Sequence, residues 1–189
     1  GFRKTPGTVL RNERTGQVVF EPPSPEKIPA YMSALESFIN EKSQLDILVC
    51  MALIHHQFET IHPFYDGNGR TGRILNILYL VQNGLLDTPI LYLSRYINQS
   101  KDDYYSLLQK TRDENLWEEW IIYMLKGVSV TARHTTALIE RIRDLLLSQK
   151  QEIRKNYKFY SQDLLNNLFS HPYTKVAFLE ADLGVSRAT

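Results

Sequence analysis

The sequence predicts a mostly α-helical fold with one small β-hairpin at its start, and three observations carry that prediction. From Ile28 onward apolar residues recur every three or four positions, beginning Ile28, Met32, Leu35 and Ile39, which puts them on one helical face. Before Ile28 the pattern differs: 8–12 and 17–20 are short β-prone runs, with Glu13-Arg14-Thr15-Gly16 as the turn between them. Glycine, asparagine and proline then fall where such helices should stop.

Taken in order, Gly16 supplies the positive φ of a tight turn, and Pro22, Pro23 and Pro25 end any strand. The helix opening at Ile28 is followed by a second, strongly apolar one over 45–60. A break comes next, then a third helix from near Arg70. It presents Ile74, Ile77, Leu78 and Val81 and stops at Asn83-Gly84. Two more helices fit 100–112 and 116–154, the latter with Gly127 as a point of bending or breakage, since glycine weakens a helix interior. Charge thickens over 140–158, as at a solvated helix end leading into a linker. From Tyr160 the pattern reads helix, turn, helix, over 161–169 and 174–182. Gly184-Val185-Ser186-Arg187 then offers Ser186 as the cap of a further helix.

Composition narrows the function classes. A net charge of +1 over 189 residues argues against a generally basic nucleic-acid-binding surface. With 43% hydrophobic and 23% charged residues the chain belongs with globular proteins rather than disordered ones. The single cysteine, Cys50, excludes an internal disulfide, and inside Ile47-Leu48-Val49-Cys50-Met51 it reads as a buried, inert thiol. No run of about 18 apolar residues is present to span a membrane, and the expected location is cytoplasmic. The start, Gly1-Phe2-Arg3-Lys4-Thr5, is no signal peptide, and the end stops in mid-pattern. The expectation is a piece of a longer protein.

The informative segment is His62-Pro63-Phe64-Tyr65-Asp66-Gly67-Asn68-Gly69-Arg70-Thr71-Gly72-Arg73. Gly67 and Gly69 flank Asn68 and let the backbone turn tightly, aiming successive N–H groups into one anion-binding concavity. That concavity opens into a helix N-terminus, whose free N–H groups and dipole add to the attraction. Arg70 and Arg73, three apart, project from one side and can clamp phosphate oxygens. Asp66 supplies a hard oxygen ligand suited to Mg²⁺, and His62 can take a proton from an incoming hydroxyl near neutral pH. These parts predict phosphoryl or nucleotidyl transfer by positioning and charge stabilisation. No serine or cysteine nucleophile sits inside the loop.

Position by position, His-Pro-Phe-x-Asp-Gly-Asn-Gly-Arg-x-x-Arg resembles the signature of Fic domains. The likeness extends over about 1–155: the hairpin is similar to the Fic flap, and Leu91-Tyr92-Leu93-Ser94-Arg95-Tyr96-Ile97, Asp103-Tyr104-Tyr105 and Trp117-Glu118-Glu119-Trp120 are similar to further landmarks. The resemblance implies a Fic-type helical bundle acting as a protein adenylyltransferase, moving AMP from ATP to a Tyr, Thr or Ser hydroxyl and releasing pyrophosphate. His62 would be the general base and Asp66 the Mg²⁺ ligand. Gly67, Asn68 and Gly69 would surround the α-phosphate, and Arg70 and Arg73 would hold the β- and γ-phosphates. Phe64 would anchor the loop in the core. The flap residues Val9, Leu10, Arg11, Val18 and Val19 would dock the target backbone as an added strand. Tyr96 and Asn98 are the adenine candidates. The acceptor is a protein, the chain itself included, and a homodimer is expected. An inhibitory Ser/Thr-x-x-x-Glu-Gly/Asn helix has no match; the nearest, Ser37 to Lys42, ends wrongly. The chain is therefore expected to be free of that inhibition.

Other readings stand beside this one. The Fic core also hosts UMP or phosphocholine transfer, phosphorylation and AMP removal, although the complete loop with both arginines favours AMP transfer. His55, Glu59 and His62, four and three apart, would make a zinc or iron face on one continuous helix, but Pro63 disfavours helical geometry at His62. The segment 156–189 resembles the opening of a winged-helix domain, which would make the chain a regulatory binding module. Its few basic residues, Lys175 and Arg187 beyond Lys158, give nucleic acid little support.

Overall fold

The computed structural model describes residues 1–11 and 16–186. Along them run β1 (Leu10–Arg11), β2 (Val18–Phe20), a 3₁₀ turn at Pro25–Lys27, and then eight helices among the described residues. These are α1 (Ile28–Asn40), α2 (Ile47–Ile61), α3 (Asn68–Gln82), α4 (Ser94–Gln99), α5 (Lys101–Glu114), α6 (Trp117–Asn156), α7 (Gln162–Ser170) and α8 (Val176–Leu183). The fold is mostly α with one hairpin, as the pattern predicts. None of these helices is long and apolar enough to cross a membrane.

Two compact units divide the chain, Gly1–Arg133 and His134–Thr189. In the first, α2 is the central helix. Its apolar sequence lacks a polar face because both α1 and α3 pack against it, burying nine of its residues from Cys50 to Ile61. Asp46 caps it, accepting the Leu48 N–H at 2.8 Å. Cys50 is buried and free, as expected. Around α2 the core gathers Ile28, Leu35, Phe58, Leu80, Trp120 and Met124, and Trp120 on α6 donates its indole N–H to the Ala52 carbonyl at 2.9 Å.

The hairpin pairs Leu10 with Phe20 and Arg11 with Val18, with a register irregularity between them. Gly16 takes φ +70°, as a turn there requires; Glu13, Arg14 and Thr15 lie outside the described residues. Two helical expectations need correction. First, α4 was not foreseen: six residues are too few to display a period. Second, α6 runs unbroken through Gly127. A Cβ at Gly127 would lie 2.8 Å from Cδ1 of Tyr96, so this glycine makes room for a ring against the helix instead of ending it.

In the second unit α7 and α8 form the expected helix, turn, helix. Ser161 caps α7 by accepting the Leu164 N–H at 3.1 Å, and Leu165 on α7 is fully buried. Asn167 bridges the two helices, donating to the Asp182 carboxylate and accepting from the Thr174 hydroxyl at 3.0 Å. Gly184 ends α8 in the left-handed conformation. The capping role read for Ser186 involves Arg187, which lies outside the described residues.

Candidate active site

The loop between α2 and α3 is built by its own side chains. α2 ends at His62, which adopts φ 47° and ψ 61°, a backbone shape histidine tolerates better than most residues. Pro63 then prevents helix continuation, so the face shared by His55 and Glu59 breaks before His62. Asn68 is buried and turns its side chain inward, accepting the Phe64 N–H at 2.9 Å and donating to the Phe64 carbonyl at 2.8 Å. It is a clasp across five residues. Phe64 itself sits between Phe2 and Phe58, with ring centres 5.9 and 6.2 Å away. Thr71 Oγ1 returns to the Gly67 carbonyl at 3.0 Å.

Residues 3–5 tie the outside of the loop. Arg3 is only 2% exposed; its Nε donates to the His62 carbonyl at 2.8 Å, and its Nη2 donates to the Pro23 carbonyl and to that of Ile61 at 3.5 Å. Its own N–H donates to the Pro63 carbonyl at 2.8 Å. The Tyr65 hydroxyl accepts the N–H groups of Lys4 and Thr5 at 2.8 and 3.0 Å.

At the mouth, Gly67 turns with φ 83° and α3 begins at Asn68, two residues ahead of the expected start because the glycine caps it. Thr71 N–H is the first to close onto Gly67, which leaves the N–H groups of Asn68, Gly69 and Arg70 without intrahelical acceptors. A Cβ on Gly67 would lie 3.7 Å from Nη2 of Arg70, and one on Gly69 only 3.1 Å from Nη1 of Arg73. The cradle is open because both positions are glycine, and two guanidinium groups flank it. Arg73 is held by Ser94, whose Oγ accepts its Nε–H at 2.6 Å. Arg70 reaches back to Asp66 Oδ2 at 3.1 Å, a pair with 72% and 91% of its side chains exposed, worth little and easily exchanged for a ligand. Asp66 Oδ1 accepts the Gly67 N–H at 2.7 Å.

Behind the loop lies a buried polar layer. Asn76 donates to His55 Nδ1 at 3.0 Å, which makes Nε2 the protonated nitrogen, and Nε2 donates to the Tyr104 hydroxyl at 2.9 Å. His56 Nε2 donates to the Leu108 carbonyl at 3.3 Å. Burial pushes both imidazoles down to about 4 and pushes the Glu59 carboxyl up to about 7, against the pull of Arg73 and Arg112. A Cβ on Gly72 would lie 2.9 Å from Glu59 Oε1, so α3 passes directly over that carboxyl group. His62 is also held below its ordinary value, first by burial and then by Arg3 and Arg112, with the Glu59 carbonyl opposing them. Its Nδ1 is buried, so exchange of a proton with an acceptor falls to Nε2.

These shifts predict a pH profile of stability with two opposed parts. Below about 6.5 the unfolded state protonates its equivalents of His55 and His56 while the folded state does not until about 4, so stability falls as pH drops. Glu59 acts in reverse: between its ordinary 4.5 and about 7 the folded state holds the extra proton, so its contribution is present in acid and is lost as pH rises. Two histidines outweigh one carboxyl, and the melting temperature should fall from pH 6.5 to 4.5. Glu59→Gln should steepen that fall; a profile flattened by this variant would contradict the assignment.

The structure thus brings His62, Asp66, Gly67, Asn68, Gly69, Arg70 and Arg73 into one loop. Tyr96 packs on α6, 5.2 Å from the Tyr123 ring, and Asn98 is exposed on α4. From that helix it is Ser94 that reaches Arg73. On the hairpin, Val9 and Leu10 are half-buried and Arg11 is exposed, with its Nη1 donating to the Gly16 carbonyl at 3.1 Å; Val18 and Val19 are exposed. Sequence reasoning missed Arg3 and Ser94, which lie 59 and 21 positions from the groups they hold and share no spacing with them.

Comparison with known proteins fits this geometry. The model of the Fic/DOC family matches residues 2–80, and that of the protein adenylyltransferase SoFic-like C-terminal domain matches residues 145–189. A probable protein adenylyltransferase of Aquifex aeolicus is 36% identical over 83 residues, covering 44% of this chain and 26% of that protein. Protein adenylyltransferase fic-1 of Caenorhabditis elegans is 30% identical over 133 residues, 68% of this chain and 23% of that protein. The chain therefore spans about a quarter of the length of these curated relatives. A crystal structure of a Fic family protein from Desulfovibrio desulfuricans G20 shares the fold, with a TM-score of 0.64 at 22% identity over 98% of this chain and 51% of that one. Over residues 2–80, which carry the motif loop, this chain is similar to the Fic/DOC family.

Proposed function

We propose that this chain is a protein adenylyltransferase that moves AMP from ATP to a Tyr, Thr or Ser hydroxyl of a protein. One observation carries the reading: a glycine-lined cradle of free N–H groups lies between two guanidinium groups, five residues beyond a histidine whose burial disfavours its protonated form. His62 takes the acceptor's hydroxyl proton at Nε2 as the new O–P bond forms at the α-phosphorus, and the bond to the β-phosphate oxygen breaks, releasing pyrophosphate. Gly67 turns the backbone into the cradle, and the N–H groups of Asn68, Gly69 and Arg70 meet the charge developing on the α-phosphate oxygens. Arg70 and Arg73 hold the departing phosphates. Asp66 fits a Mg²⁺ site because its exposed Oδ2 has only a screened partner to give up. Held there, Mg²⁺ would neutralise charge on the nucleotide phosphates.

The same reading divides the chain into a catalytic domain over 1–155 and a winged-helix-like segment over 156–189. It takes cytoplasmic ATP as donor, Tyr96 and Asn98 as adenine contacts, and Val9, Leu10, Arg11, Val18 and Val19 as the docking flap. The first acceptor to try is the chain itself, alone or as a homodimer. Incubation with Mg²⁺ and ATP labelled on the α- or the γ-phosphate tests the reaction. Protein labelled from α-ATP alone supports AMP transfer; label from γ-ATP alone would make the chain a kinase and overturn the proposal.

Ser94 gives a second check. Removing its hydroxyl leaves Arg73 without its Nε acceptor, so Ser94→Ala is expected to raise the KM for ATP about tenfold, the scale of one hydrogen bond to a charged group. Ser94→Thr should restore it.

A further inference from the structure

Arg112, on α5, joins three parts of the first unit. Its guanidinium carbon lies 3.7 Å from the centre of the Phe20 ring at the end of β2. Its Nε donates to Thr60 Oγ1 at 3.0 Å and its Nη1 to Gln109 Oε1 at 3.3 Å. Thr60 belongs to the last turn of α2, two residues before His62. One planar cation is therefore fixed between the hairpin and the helix end that presents His62. A guanidinium can stack on a ring with its face while its edge donates in plane; an ammonium cannot do both.

Arg112 Nη2 is buried and has no acceptor among the described residues. A buried cation with an open N–H is less favourable than an apolar side chain of the same volume. Burial brings this guanidinium down to about 10, so it is still charged at neutral pH. Facing it are Tyr104, Glu59 and Asp113. A local rule is broken at the junction of two functional elements, which is where such breaks have a use.

We propose that Arg112 is a positioning residue of the transfer reaction: through Phe20 it holds the acceptor-docking strand, and through Thr60 it fixes the helix end that carries the base. This rests on the assignment of His62 and of the hairpin made above. A second consequence follows from its charge. Arg112 on α5 and Arg3 on the N-terminal segment both oppose a proton on His62, against the Glu59 carbonyl on its own helix.

The test uses the full chain and readouts that need no turnover. The His62 imidazole is titrated by NMR, with His62→Ala to assign its signal, in the wild type, Arg112→Gln and Arg112→Lys. Amide exchange of Val18, Val19 and Phe20 is followed in the same proteins and in Phe20→Leu, which keeps an apolar side chain and serves if Arg112→Gln fails to fold. Arg112→Gln should move the His62 midpoint upward, and Arg112→Lys should return it. The three strand amides should exchange about tenfold faster in Arg112→Gln and Phe20→Leu. Incorporation of α-labelled ATP should fall about tenfold or more, with the KM for ATP unchanged. An unmoved midpoint and unchanged strand exchange in an active protein would overturn the role of Arg112. A wild type that transfers nothing would instead overturn the assigned reaction, whatever the NMR shows.

Discussion

Replacing His62 by alanine is expected to lower AMP transfer by about 10²–10⁴-fold, the range that a positioned general base contributes. ATP binding should be little changed, since the anion cradle begins five residues later at Gly67. His62→Asn should be equally inactive. Asparagine tolerates the left-handed backbone observed at this position but takes no proton, so the pair separates the loss of the base from the loss of the helix end. The pH dependence of kcat/KM is the companion measurement. A base must be unprotonated to act, and burial with Arg3 and Arg112 holds this imidazole below its ordinary value. The acid limb should therefore lie below about 6.5. A limb at or above that value would contradict the environment described for His62.

Trp120→Ala is expected to have the largest effect on stability. The side chain is fully buried, donates to the Ala52 carbonyl, and has the rings of His55, His56, Tyr104 and Tyr123 around it at 5.5–6.2 Å. Removing a large aromatic from such a site costs about 3–5 kcal/mol, equivalent to a fall of roughly 10 °C or more in melting temperature for a unit of this size. Trp120→Phe keeps most of the packing and loses the donor, so about 1–2 kcal/mol is expected. Urea denaturation of both variants checks the order. Equal losses would mean that the indole N–H, and not the ring volume, dominates. Because α2 carries both Ala52 and the His62 end, the alanine variant should lose activity with its fold.

The motif loop was legible because each of its positions demands a particular chemistry: glycine where the backbone turns, arginine beside an anion, a carboxylate for a cation. The central helix was legible as an unbroken apolar run. What escaped was what depends on distance across the fold. Ser94 holds Arg73, and Arg3 closes on His62, yet nothing in their own sequence neighbourhoods shows which groups they hold. Asn68 reads in sequence as part of an anion cradle; the second task of its side chain, closing the loop onto Phe64, shows only in the fold. Gly127 was read as a weakness in a helix, because a lone glycine shows its backbone cost in sequence and hides the Tyr96 ring that it admits. The metal face drawn through His55, Glu59 and His62 required a helix that Pro63 does not allow to continue.

The stitching of residues 3–5 onto the loop also makes a mechanical linkage. Arg3 grips the carbonyls of Ile61, His62 and Pro63, and the Lys4 and Thr5 amides hold the Tyr65 hydroxyl. A displacement of residues 3–5 is therefore delivered to the motif loop by a few hydrogen bonds, beside the ring contact of Phe2 with Phe64. Residues 3–5 and the helix end that carries His62 are expected to shift together.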